Sequence, residues 1–407
     1  MAQHILTLDA GPQLLEPDAH AELVSARLAA SIPEFSITTD LNLLENEWRA
    51  FERCADCTPF QTFDWLSNWQ RCIGARTSVT PLIVLARQSG GEPLFILPLA
   101  IERGGNWRRL TFLGHELCDY NAPLLAPEFS YEMPAAAFAE FWQAVHAKIK
   151  RDYQHDIVLL DRMPPVVGEQ HNPMLAIRTM LNPSSAHAAA LQTDWEQFYS
   201  RKRSSATRRN DRKKRRKLAE FGEVTFVTPD RPEEIRDLLA KLVVQKSQRF
   251  RQMGVSDLFA KPGYTEFYES VAADARPLVH VSVLQIGSTC AAVNLGLMFR
   301  GCYYHILASY DDGPSARFGA GAAHLHELMR HAIANGCARF DFTIGDEAYK
   351  LDWSDTKLNL HDHVSGIGLS GQLGAAILTA ALRAKRFIKT SEVIWKLVCR
   401  LRSAFGR

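Results

Sequence analysis

The run LVHVSVLQIGSTCAAVNLGLMFRGCYYHILAS, Leu278–Ser309, decides how this chain folds. Three stretches rich in Val, Leu and aromatic residues, Leu278–Ile286, Thr289–Phe299 and Cys302–Ser309, are separated by two-residue breaks. Gly287-Ser288 and Arg300-Gly301 supply hairpin turn chemistry, so the spacing predicts three successive antiparallel strands. Downstream comes a loop with Gly313, Pro314, Gly319 and Gly321. A helix over Ala320–Ala334 follows, stopped by Asn335-Gly336, and then a strand at Arg339–Thr343. Upstream, Thr193-x-x-Glu196 is a capping box that opens a helix, with Gly222 as a plausible stop. Val224–Thr228 reads as a strand. Pro232 sits where a first helical residue belongs and begins a helix to about residue 250, and a second helix fits 262–274.

The first half repeats that order. Phe35–Thr39 reads as a strand, 41–53 and 63–73 as helices, and Pro81–Ala86, Leu94–Ile101 and Leu110–Leu113 as strands. Pro134–Lys150 is an amphipathic helix and Asp156–Leu160 a strand. The sequence thus predicts two diverged copies of one α/β (α+β) fold. Pro164, Pro165, Pro173 and Pro183 punctuate the stretch to about residue 190, which reads as a linker. The expected divisions are a loose tail over 1–31, a first domain over 32–190, a second over 191–365 and a basic amphipathic helix over 366–407.

A chain of 407 residues exceeds the usual limit of one core. The net charge of +2 hides an asymmetry. Residues 201–217 hold eleven Lys/Arg and one acid, and 366–407 hold eight and one, so the remainder is acidic. Such patches point to an anionic partner. In the C-terminal patch Ile377, Ala381, Ala384, Ile388, Trp395 and Val398 share one helical face, opposite Arg386, Lys389, Lys396 and Arg400. That is a membrane-surface signature; the plainer reading is a helix packed on the body of the protein. No basic n-region precedes an apolar stretch at the start, and the longest apolar run, around 373–382, falls short of the ~20 residues a span needs. The expected location is cytoplasmic, with peripheral contact on the inner membrane as an option. The eight cysteines fit that compartment: Cys54 and Cys57 form a C-x-x-C without a second pair at zinc spacing, so buried thiols are the preferred reading. His326-Glu327 suggests H-E-x-x-H, but position 330 is Arg330 and His331 falls one residue late, so no metal is expected.

The segment RFDFTIGDEAYKLDW, Arg339–Trp353, resembles the signature of a bacterial group of GNAT-superfamily acyltransferases linked to cellulose and other exopolysaccharide synthesis, distantly related to FemAB peptidyl transferases. PFQTFDWLSNW, Pro59–Trp69, is similar to that group's N-terminal block. The resemblance covers about 35–365 and implies two GNAT-like domains with mixed central sheets. It implies an acyl-CoA cosubstrate, acetyl or longer, on the second domain, an acceptor between the halves, and attack of an amine or hydroxyl on the thioester. In that fold the third antiparallel strand splays from the next and offers its backbone to the donor, which here implies Leu307 and Ala308. The pyrophosphate loop would be Ser315–Ala322, with Arg317, Gly319, Ala320, Gly321 and Ala322 as candidates. Arg317 stands only two positions before Gly319, a departure from the family's Q/R-x-x-G-x-G/A.

Thioester aminolysis needs a base, oxyanion donors and a proton for the leaving thiolate. His305, on the donor-side strand, is the first candidate base, with Asp341 beside it as base or orienter. Tyr349 and Lys350 are candidates for substrate or thiolate contacts, and Asp346 and Glu347 for substrate binding, although Asp346 and Lys350 could simply pair at i,i+4. Arg208 and Arg212, in the charged helix, are candidates for an anionic substrate or cofactor. That helix has no interleaved aromatics, which argues against nucleic acid. Three alternatives stand beside the acyl-CoA reading: a FemAB-like aminoacyl transferase using charged tRNA, a lipid N-acyltransferase acting on a sphingoid-type amine, and a non-catalytic GNAT scaffold.

Overall fold

The computed structural model describes residues 33–275 and 278–391. The tail expected at 1–31 lies outside them, as do Trp395, Lys396, Val398 and Arg400 of the expected C-terminal helix.

The first repeat contains β1 (Phe35–Thr38), α1 (Glu45–Phe51), α2 (Phe63–Trp69), β2 (Thr80–Arg87), β3 (Pro93–Gly104), β4 (Trp107–Phe112), α3 (Ala135–Asp152), β5 (Ile157–Met163) and β6 (Met180–Ala190). Two helices follow, α4 (Trp195–Lys202) and α5 (Ser205–Ala219). The second repeat contains β7 (Val224–Val227), α6 (Pro232–Gln252), α7 (Tyr264–Asp274), β8 (Val279–Ile286), β9 (Thr289–Phe299), β10 (Cys302–Tyr310), α8 (Ala320–Ala334), β11 (Arg339–Ile344) and β12 (Thr356–Gly366). The chain continues into α9 (Gly368–Thr390). The repeated order expected from the sequence is present. At the β9–β10 turn Arg300 and Gly301 have φ of 48° and 71°, as a two-residue hairpin requires.

The two repeats share one 13-stranded sheet in the order β1-β2-β3-β4-β5-β12-β6-β11-β10-β9-β8-β7, with Leu124–Leu125 added against β3. The order is a palindrome of the two repeats, except that their last strands have changed places. β12, from the end of the second repeat, pairs with β5 of the first, while β6 pairs with β11 of the second. β6 and β12 pair with each other at the centre.

The stretch read as a linker therefore contains the strand at the middle of the sheet. Its sequence, MLNPSSAHAAA, is poor in β-branched and aromatic residues. Hydrogen bonding to a neighbour on each side holds it extended despite that composition. The outer strands look different: Leu82–Ala86 and Leu94–Leu97 are continuously buried, as expected of strands covered on both faces. Each fully buried Leu or Ile contributes about 1.5–3 kcal/mol.

Other contacts weld the halves. Trp65 meets Phe267 edge-to-face at 4.9 Å. The Arg300 guanidinium donates to Ala55 O at 2.7 Å and Glu52 O at 2.5 Å. One apolar cluster runs from Leu41 through Trp65 to Leu295 and Leu307. A fragment ending at residue 190 lacks the partner of β5 and both neighbours of β6. It is expected to show no cooperative unfolding transition by circular dichroism, whereas the whole chain unfolds in one; a cooperative transition in the fragment would refute this.

Candidate active site

β10 and β11 run parallel, but they pair only at Cys302–Arg339, Tyr303–Phe340 and Tyr304–Asp341. Beyond that point the strands diverge and β10 has no further ladder pairs with β11, although Thr343 Oγ1 still reaches His305 O at 3.5 Å. A β-bulge falls at the opening: Gly296 pairs with His305 and Leu295 with Leu307, so Ile306 has no partner on β9. Of the candidates on this strand, Leu307 is buried and Ala308 exposed. The splayed edge of β10 thus offers backbone groups to a ligand lying there.

His305 Nε2 is engaged within the core. The Asn294 amide, in the orientation that satisfies its neighbours, donates to His305 Nε2 at 3.1 Å and to Leu307 O at 3.1 Å. The ring packs near Phe340, and burial lowers its pKa to about 3, with Lys350 and Lys246 adding to the effect. It is a neutral core imidazole at any physiological pH. Asp341 is likewise enclosed. It accepts Tyr120 Oη–H at 2.7 Å and Thr343 N–H at 2.8 Å, and Arg339 lies 3.3 Å away. Burial raises its pKa against the pull of Arg339 and Tyr120. Tyr120 belongs to the first repeat, so this bond crosses between the halves.

The residue before Tyr120 is Asp119, which no sequence motif singles out. It is part-exposed, and Thr343 Oγ1 hydrogen-bonds it while also lying 3.5 Å from His305 O. Its carboxyl therefore sits at the mouth of the β10–β11 splay. Burial pushes its pKa up, opposed by Arg162, Thr343 and Lys350. Arg162, equally unmarked in the sequence, anchors the loop that carries it: one guanidinium nitrogen donates to Glu116 O at 3.0 Å and to Cys118 O at 3.1 Å.

Arg162 and Thr343 occupy matching places in the two repeats. Each has positive φ, 54° and 58°, and each lies at a bulge, on β5 and β11 respectively. For a β-branched residue such a backbone costs ~1–3 kcal/mol. The kink turns Thr343 toward Asp119 and Arg162 toward the 116–118 carbonyls.

After β11 the chain turns through Gly345 into one helical turn, Ala348–Leu351. Lys350 is buried; its Nζ donates to Ile344 O at 2.8 Å and pairs with Glu347 at 3.0 Å. The i,i+4 pairing of Lys350 with Asp346 does not occur, because the turn begins only after Glu347. Asp346 instead lies 3.5 Å from His187 Nε2 and 3.6 Å from Lys389. Tyr349 is half-exposed and touches Phe342 edge-on at 6.2 Å. Trp353 stacks on Phe198 and Tyr199 of α4, under Arg203. That stack sets α4, and hence α5, beside the site. Lys246 of α6 also faces this region, its pKa lowered by burial and raised in part by Glu347.

At the far end of the splay lies the start of α8. Gly319 is its N-cap, with φ 78° and no capping side chain, so the first N–H groups are available to an anion. A Cβ on Gly321 would come within 3.2 Å of Tyr310 Cδ1. Ala320 is buried, whereas Arg317 and Ala322 are exposed. A cavity of about 80 Å³ lies beside this helix start, lined by Gly319, Ala322, Arg212, Lys214 and Arg215. The structure thus brings Arg212 to the proposed phosphate end, away from Asp346 and Glu347. Arg208 is half-buried one turn earlier, with its Nε enclosed and unpartnered. Cys54 is exposed and Cys57 buried, with the latter's thiol pushed up to about 12 by burial.

Among known proteins, the profile of a family described as an acetyltransferase (GNAT) domain matches residues 205–351. No curated protein sequence matches the chain. The crystal structure of FemX superposes with a TM-score of 0.56 at 9% identity, covering 82% of this chain and 97% of FemX. L-PGS from Bacillus licheniformis gives 0.47 at 12% identity, covering 82% and 99%. A tandem GNAT protein from the clavulanic acid biosynthesis pathway gives 0.45 at 12% identity, with the same coverages. The GNAT-domain match thus covers residues 205–351 of a chain whose two repeats share one mixed sheet with flanking helices.

Arg162→Ala removes two charge-assisted bonds to otherwise loose carbonyls. It is expected to lower stability by ~1.5–3 kcal/mol in urea titration; an unchanged midpoint would mean that the loop is held by other contacts.

Proposed function

We propose that the chain is an acyltransferase that moves an acyl group from a CoA thioester to an amine. The donor lies along the splayed edge of β10, its pyrophosphate at the start of α8 beside Arg212, Lys214 and Arg215. The acceptor approaches between the halves. Asp119, delivered by the first repeat to the mouth of the splay, takes the proton from the attacking amine. The C–N bond forms as the C–S bond breaks, and the thiolate leaves with a proton from solvent or from the protonated carboxyl. Ile306, freed by the bulge, offers its N–H toward the oxyanion. Lys350 fixes the Ile344 carbonyl and so the shape of the loop.

The observation that supports this reading is a splayed strand pair with a carboxyl at its mouth, its pKa raised by burial, and an uncapped helix start flanked by cations at its far end. A role in exopolysaccharide or envelope synthesis rests on the resemblance of 339–353 alone. The exposed cations of α5 support tRNA as the competing donor carrier.

Thermal unfolding with CoA, acetyl-CoA, palmitoyl-CoA and tRNA separates the donors. A ligand at ~100 times its Kd adds ~2.7 kcal/mol to the native state, and a CoA compound is expected to raise Tm measurably. Gly321→Glu, which crowds Tyr310 and places a carboxylate among the phosphate-facing N–H groups, should abolish that rise. Protection by tRNA alone would favour aminoacyl transfer; no protection by any of the four would favour a scaffold.

Asp119→Asn should lower kcat by ~10²–10⁴-fold. Its sign with pH is also fixed. A carboxyl raised by burial acts as a base only above its folded pKa, so kcat/KM of the parent falls on an acid limb above the ordinary ~3.9, and that limb vanishes in the variant. The same raised pKa favours the native state below the unfolded pKa, and that contribution is lost as pH rises through the folded value. At neutral pH the Asn protein should therefore be the more stable of the two, by differential scanning calorimetry. A fully active Asn variant would remove Asp119 from the mechanism.

A further inference from the structure

The C-terminal helix packs the opposite way from an ordinary amphipathic surface helix. Its inner face is made of small residues: Gly371, Gly374 and Ala375 are buried, and a Cβ on Gly371 would sit 2.1 Å from Asp156 O. Its cations also reach inward. Arg386 donates to Asn182 O at 2.7 Å, and Lys389 binds the Ser184 hydroxyl and pairs with Asp346. The outward face is apolar. Leu369 is 89% exposed, Leu373 62%, Ile377 54% and Phe387 64%. At 100° per residue these four lie within one quarter of the helix circumference. Ala376, Ala380 and Ala384 are exposed along the same stripe, with Arg383 at its border.

Turning Arg386 and Lys389 inward and the apolar stripe outward leaves an extended apolar surface that monomeric soluble proteins avoid. The surrounding charge says what covers it. Residues 366–407 carry eight Lys/Arg against Glu392. Next to its start, Trp107 donates to Ser370 Oγ at 3.2 Å, in a hairpin whose Arg103 and Arg108 are exposed. A second copy meeting this face across a two-fold axis would bring like charges together. An anionic bilayer offers both an apolar interior and opposite charge.

We propose that α9 is a membrane-docking helix that lies in the interface of an anionic lipid bilayer, with Leu369, Leu373, Ile377 and Phe387 inserted. No helix among the described residues is long and apolar enough to cross a membrane, so this is docking in the plane. Beneath the helix is a cavity of about 320 Å³, lined by Leu378, Leu382 and Pro183 at one side and by Arg162, Asp362 and Gly345 at the other.

The test uses the full chain in flotation with vesicles of phosphatidylcholine alone or with about 30% phosphatidylglycerol, an anionic surface of the kind that attracts basic segments. Expected is co-flotation with the anionic vesicles, at least about tenfold weaker in the Leu373→Glu/Ile377→Glu double variant and reduced by about 0.5 M NaCl, which screens the surface charge. Both positions are exposed, so the variant should keep the parent's Tm and its response to CoA, a readout that separates failure of docking from failure of the donor assignment. Absence of flotation by the parent, or equal flotation by the variant, overturns the proposal. So does a parent that is dimeric by light scattering and becomes monomeric in the variant, which would make the stripe a contact between copies.

Discussion

Everything in this molecule depends on the antiparallel pairing of β6 with β12. Each is the last strand of its own repeat, and each completes the sheet of the other. Two separate sheets would leave two edges at the middle, and exposed edges are prone to pairing with other chains. The exchange satisfies both edges internally and turns two repeats into one cooperative body. It also sets the distance between the repeats at strand spacing. That closeness is why a loop of the first repeat can supply Asp119 and Tyr120 to the splay in the second.

The outer parts of the fold are legible in the sequence because they carry strong local signals. Arg300-Gly301 between apolar runs could only be a turn, Thr193-x-x-Glu196 and Pro232 mark helix starts, and Leu82–Ala86 and Leu94–Leu97 are apolar without interruption. The centre is illegible for the opposite reason. MLNPSSAHAAA has neither alternation nor β-branched density, and TKLNLHDHVSG alternates only over Lys357–His361, since two hydrogen-bonded neighbours, rather than side-chain preference, keep them extended. The exchange of strands is a matter of which partner is chosen, and pairing partners are not written in either strand alone.

The candidate site divides along the same line. Gly319, Gly321 and the strand carrying Leu307 and Ala308 could be read because a glycine-rich helix start after a third antiparallel strand is a local pattern. Arg339–Trp353 could be read because its residues recur as a block, and its Trp353 and Lys350 turn out to hold α4 and the Ile344 carbonyl. His305 attracted attention for its ordinary pKa, but residue type says nothing of burial, and Asn294 holds its Nε2. Asp119 had no pattern around it at all. Its importance comes from Arg162 gripping the neighbouring carbonyls and from Thr343 across the splay, contacts made over more than forty and more than two hundred positions of sequence.

The paired kinks at Arg162 and Thr343 record what duplication made possible. A single fold must use its bulge either to brace a loop or to shape a pocket. With two copies the same awkward backbone is kept twice, and the side chain on each serves a separate purpose. In one copy a long cation grips carbonyls; in the other a short hydroxyl bridges a carboxyl to a strand. The first copy thereby braces a loop that reaches the second. In the first copy His115 lies 3.5 Å from Glu102 and 3.6 Å from Asp161, beside the loop that Arg162 holds. The pair is thus symmetric in backbone but asymmetric in what each kink holds, a long cation on carbonyls in one copy and a short hydroxyl on a carboxyl in the other.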